Sequence, residues 1–195
     1  MHRLLVPVVL LAVLAAGAAP ASPPAREPDT LRTTIYFLTE DGVAPLGVRR
    51  TVLRRPPPPW GSFAAGALDA LLAGPSPEEA AHGLTTAIPA GTRLLGFELR
   101  GYGGTGAVVN LSGLEGIGDG LDRARVITQV VRTLVGVSGI GRVWFRSDGR
   151  PWGMWLMKGG VHDGPYDYGD LAGFWLSAGC PGTETLVCDR FKALP

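Results

Sequence analysis

The stretch FAAGALDALLAGPSPEEAAHG (63–83) constrains this chain more than any other, because it marks where a helix buries itself and where it must stop. Phe63, Ala67, Leu68, Leu71 and Leu72 recur at helical spacing and form one apolar stripe. Gly74 stands where a helix ends in the left-handed region, and Pro75 has no amide with which to continue. Ser76-Pro77-Glu78-Glu79 then starts a new short turn, with Ser as cap, Pro at its first position and acids at its positive end. Gly83 breaks it.

Strand-like runs surround this break. TTIYFLT (33–39) is β-branched and aromatic, and EDG closes it as a turn. PLGVRRTVLRR (45–55) carries Val48, Val52 and Leu53, and its arginines suit an edge strand guarded by charge. PPPPW (56–60) is a stiff spacer leading to Ser62, a good helix cap. RLLGFELR (93–100) and GAVVNLS (106–112) flank the turn GYGGTG and read as a hairpin, with Leu95, Phe97 and Leu99 alternating on one strand and Ala107, Val109 and Leu111 on the other. A second helix runs from Asp122 to Val135, with Val126, Ile127, Val130, Val131 and Leu134 inward and Gly136 as its stop. GRVWFRSDGR (141–150) is a last core strand. The order β-β-α-β-β-α-β predicts an α+β fold: one mixed sheet with two helices on one face.

The N-terminus reads as a secretory signal. MHR is a positive start, a run of about 16 apolar residues follows, and Ala19-Pro20-Ala21 offers small residues for cleavage before Ser22. The run is short for a bilayer span of roughly 20 residues, and no later segment reads as one. Residues 1–21 are thus a signal, 22–32 a proline-rich tether, 33–160 a folded domain and 161–195 a C-terminal extension. Losing Arg3 with the signal takes Lys+Arg from 18 to 17, against 17 acids. That neutral balance, with RTVLRRPPPP as the densest but short basic patch and no Lys/Arg cluster of the nucleic-acid kind, argues against a nucleic-acid partner. In an oxidising compartment Cys180 and Cys188, enclosing PGTETLV, are expected to form a disulfide that pins the tail.

Catalytic patterns do not assemble. Signal removal leaves His82 and His162, and GVSGI (136–140) falls one residue short of a nucleophile elbow and lies between helix and strand. GYGGTG satisfies a dinucleotide-binding pattern, but it leads into a strand where a helix is required. His162, Asp163, Asp167 and Asp170 lack the alternating acids of a calcium loop. The expectation is no enzyme, no cofactor and no metal.

Aromatics gather late in the chain. WGMWLM (152–157) and YDYGDLAGFW (166–175) set Trp152, Trp155, Tyr166 and Tyr168 beside Asp167 and Asp170. Aromatic faces next to carboxylates suit the sugar rings and amino groups of a wall fragment, which makes these six residues a candidate ligand groove. The alternative is that the tail folds over the open sheet face and the aromatics are its core.

The series ALDALLAGPSPEEAAHGLTTAIPAGTRLLGFEL, GAVVNLSGL, a helix of the ARVITQVVRTL type and VSGIGRVWFRSDGRP resembles the GerMN domain over residues 33–160. That family occurs in sporulation and germination proteins and in actinobacterial envelope lipoproteins. The resemblance implies a non-catalytic extracytoplasmic binding or sensory module, with a cell-wall fragment or an envelope protein as partner and no membrane span after signal cleavage. GerMN domains are similar to ring-building domains, so the resemblance also implies self-association as an alternative. A third possibility is an accessory role beside a wall-active hydrolase. Two features depart from the family: no Cys lies near the end of the signal, and this chain has one domain copy where the bacillar prototype has two.

Overall fold

A computed structural model describes residues 29–42, 45–54, 63–101, 105–118, 120–155, 161–167 and 169–171. The signal segment, the proline spacer with Ser62, Tyr168, and the tail bearing Cys180 and Cys188 lie outside the described residues.

β1 (Thr30–Thr39) begins three residues before the β-branched run and pairs antiparallel with β2 (Pro45–Leu53), setting Ile35 opposite Val48 and Phe37 opposite Leu46. These side chains alternate inward with period two. β3 (Leu84–Thr85) pairs with the end of β1, giving the order β2-β1-β3 with the arginine-bearing β2 at the edge. α1 (Phe63–Leu72) lies against β1 and β2. Its contact with the end of β2 is so close that a Cβ on Gly66 would come within 2.0 Å of the Leu53 carbonyl oxygen, so no side chain fits there. Gly74 has φ +79°, a conformation glycine takes without strain, and its amide donates to the Leu71 carbonyl at 3.0 Å.

α2 (Pro77–Ala81) is the restarted turn. The Ser76 hydroxyl accepts from the Glu79 amide at 3.2 Å, and the Glu79 carboxylate accepts from the Ser76 amide at 2.6 Å, a reciprocal capping box. Arg50 on β2 fastens this junction. Its guanidinium pairs with Glu79, donates to the carbonyls of Ala70 at 3.1 Å and Gly74 at 3.2 Å, and stacks 4.9 Å from the Phe37 ring centre. The unpaired carbonyls at the end of α1 are thereby satisfied by a cation, which the helix dipole also favours. The break at Gly74-Pro75 is architectural.

β4 (Leu94–Arg100), β5 (Gly106–Leu111), β6 (Arg142–Ser147) and β7 (Arg150–Pro151) form a second sheet in that order, with β5 and β6 parallel. β8 (Met154–Trp155) and β9 (Val161–His162) make a small ribbon. The single mixed sheet expected from the sequence is therefore corrected to two sheets and this ribbon. The reason lies in α3 (Leu121–Ser138), which packs along β1. Thr133 Oγ1 accepts from the Tyr36 amide at 3.1 Å, and Gln129 Nε2 donates to the Tyr36 carbonyl at 3.2 Å. Helix side chains thus take backbone bonds that a neighbouring strand would otherwise take. The two sheets still share one core, in which Phe37, Val109 and Phe145 join Val126, Ile127, Val130, Val131 and Leu134 of α3.

Two local expectations also change. α3 continues past Gly136 to Ser138 and ends at the left-handed Gly139. On β4 the core takes in Phe97, whereas Leu95 and Leu99 are exposed. Leu94 pairs with Leu111 and Gly96 with Asn110, so Leu95 is the extra residue of a bulge on an edge strand.

Candidate functional site

Trp152 and Tyr166 are core residues. Trp152 is 4% exposed; its Nε1 donates to the Leu114 carbonyl at 3.2 Å, and its ring packs against Phe145 under the Arg123 guanidinium. Tyr166 is 1% exposed and sits edge-on to Phe145 and His162, with its backbone bridged to Val143. Its hydroxyl donates to the His162 carbonyl and accepts from the Met154 amide. Burial pushes the phenol above its ordinary value; the Met154 amide opposes this and the charge of Asp163 adds to it. Asp167 and Asp170 accept each other's amides at 2.9 and 3.0 Å across one tight turn. Trp155 supplies backbone to β8, its side chain lies beyond the description, and Tyr168 is outside the described residues. For Trp152 and Tyr166 the core reading is the one observed, and the aspartates hold a turn.

A cleft of about 390 Å³ opens elsewhere, where the β1–β2 turn, β3, the loop before α3 and the first turn of α3 converge. Arg125 and Asp122 line it together with Gly42, Thr85, Thr86 and the loop Gly116–Gly118. Arg125 Nε donates to the Gly42 carbonyl at 2.8 Å, and Nη1 donates to Asp122 Oδ1 at 3.1 Å. One helical turn on, the buried Gln129 holds the opposite wall: Oε1 accepts from the Ala87 amide at 2.9 Å. Asp122, Arg125, Thr85 and Thr86 are the polar side chains of the lining, and the Thr86 hydroxyl also accepts from the Ile88 amide at 3.1 Å. The described lining has no histidine or cysteine. Among the described residues no group of three or more His, Cys, Asp or Glu could hold a metal, and no helix is long and apolar enough to cross a membrane.

Sequence reasoning passed over Asp122, Arg125 and Gln129. The available signal was an acid and an arginine three apart at a helix start, directly after the glycine-rich GLEGIGDG.

Two layers of strands and helices around this cleft define a small α+β domain of the sporulation type, and residues 34–152 match the family Germane, described as "Sporulation and spore germination". The chain belongs to that family. Among solved structures it is similar to the tandem GerMN domains of the sporulation protein GerM from Bacillus subtilis, with 20% identity and a TM-score of 0.50 over 73% of this chain. It covers 48% of that tandem protein. It is also similar to the first GerMN domain of the same protein, with 21% identity and a TM-score of 0.49, over 72% of this chain and 99% of that one. No curated protein matches the sequence at a significant level.

Proposed function

We propose that this chain is a non-catalytic, extracytoplasmic binding or sensory module of the bacterial cell envelope, acting in sporulation or germination. Its cleft takes a peptide-bearing wall fragment. The observation that carries this reading is the Asp122–Arg125 pair at the mouth of an open cleft, where opposite charges are presented side by side. A short peptide with a free amine and a free carboxylate matches both. Export is supported by the charged start, the short apolar run and Ala19-Pro20-Ala21. N-terminal sequencing of exported protein should read Ser-Pro-Pro, and protein that begins only at Met1 contradicts export. In that compartment Cys180 and Cys188 form a disulfide, which mass spectrometry without reductant should find as a cross-linked C-terminal peptide.

The test is cosedimentation of the protein with purified peptidoglycan. Wild-type protein should pellet; Asp122→Asn, with a melting temperature close to that of wild type, and Arg125→Gln, which also loses the bond to Gly42, should stay in the supernatant. Equal pelleting of the variants contradicts the cleft assignment.

A second reading, self-association, is favoured by β4. Among the described residues no strand pairs with its outer edge, and Leu95 and Leu99 are exposed there. Such an edge templates pairing with another copy. Sedimentation of the same sample reads this directly, and Leu99→Lys should abolish any dimer.

A further inference from the structure

The outward face of the second sheet carries a charge pattern used neither by the core nor by the cleft. Val143, Phe145 and Ser147 on β6 point inward, so Arg142, Trp144 and Arg146 point out. Strand register places Arg100 of β4 and Arg142 in one row on either side of Gly106. Gly106 has no side chain, and the Trp144 ring lies across that gap: a Cβ there would come within 2.9 Å of Trp144 Cζ3. The Arg100 guanidinium stands 5.7 Å from the centre of the same ring. The next row holds Glu98, Val108 and Trp144.

Arg50, Arg54, Arg125 and Arg150 each meet a carboxylate. Arg100, Arg142 and Arg146 have no ion-pair partner among the described residues, and Glu98 is the one acid among these outward strand positions. Formal charge over the whole chain is +1, so this is a local concentration of charge. Arg142 and Arg146, four residues apart on one strand, are about 13 Å apart at their Cα atoms. Three guanidinium groups therefore surround one half-buried indole on a sheet face. Guanidinium forks grip sulfate, phosphate or carboxylate, and an indole face covers the C–H side of a sugar ring.

We infer that this face binds an anionic polysaccharide, with Trp144 stacking a sugar ring and Arg100, Arg142 and Arg146 holding its charged groups. The envelope reading above bears on the source of the polymer, while the binding chemistry stands on this face alone, and its test touches no cleft residue.

The probe is heparin, a sulfated glycan, titrated onto the full chain with neutral dextran and inorganic polyphosphate as comparisons. Heparin should bind and dextran should not. The Arg142→Ala/Arg146→Ala variant should bind heparin about tenfold more weakly or worse, with an unchanged melting temperature, because each arginine supplies a charge-assisted contact. The corresponding double lysine variant should recover part of the loss. No heparin binding, or undiminished binding by the double alanine variant, overturns the proposal. Polyphosphate binding as tight as heparin's overturns the glycan assignment, since it leaves Trp144 no role. Should the double variant fail to fold, Arg100→Ala and Arg146→Ala, both at exposed positions, carry the same comparison singly.

Discussion

Two arginine–carboxylate pairs in this protein share their chemistry and differ in what surrounds them. Arg50 and Glu79 are 20% and 14% exposed at the side chain, and the groups around them belong to the fold: helix carbonyls, a capping serine and an aromatic face. Arg125 and Asp122 are 23% and 60% exposed, and the acid opens onto a cleft. A pair largely closed in by its own chain is costly to break, because either charge left alone would be partly buried without a partner. A pair open on one side contributes little to stability and is available to a ligand. The difference is one of context, and stability and binding measurements separate the two.

The largest effect is expected at the closed pair. Arg50→Ala leaves Glu79 without its cation and strips the α1 carbonyls of a donor, which should cost about 3 kcal/mol in urea unfolding. A loss as small as that of a surface pair would break the comparison. Glu79→Gln should cost less, about 1–2 kcal/mol, since a neutral amide keeps part of the capping box.

The same residue predicts a pH dependence. Burial pushes the Glu79 carboxyl up, but hydrogen bonds from Arg50 and Ser76 and the charge of Arg50 outweigh it, leaving the group below its ordinary 4.5. With the folded value below the unfolded one, the stabilisation is fully present above about pH 4.5 and is lost as pH falls through the folded value. Wild-type protein should lose this increment in acid, and Glu79→Gln should show a correspondingly smaller loss between pH 5 and 3. Parallel acid profiles would remove Glu79 from the account.

The smallest effect on stability is expected at the open pair. Asp122→Asn should change unfolding by about 0.5 kcal/mol or less. Its effect should appear in binding.

How far each pair was legible follows from the range of its contacts. Gly74-Pro75 and the Ser76–Glu79 box are local signals, so the stop, the cap and the short turn were readable from residues 74–79. The inward stripe of α3 follows from helical period and holds at all five apolar positions. The division into two sheets was not readable, because it depends on Thr133 and Gln129 meeting Tyr36 from almost a hundred residues away. Leu95 and Leu99 keep strand alternation in the sequence, but a bulge takes Leu95 out of register, and Leu99, still paired with Ala107, is exposed near the end of an edge strand. Trp152 and Tyr166 show the limit most plainly: an aromatic beside acids has one composition whether it faces a ligand or, as here, fills the core. The cleft was missed because Gly42, Thr86 and Asp122 come together only through tertiary packing.

The most direct test of the cleft is a backbone amide NMR titration of the protein with a soluble muropeptide carrying a free amine and a free carboxylate. Shift changes should be confined to residues 85–87, 116–118 and 122–125 and be absent in Arg125→Gln. Shifts centred on Trp152 and Tyr166, or no shifts at saturating muropeptide, would contradict it.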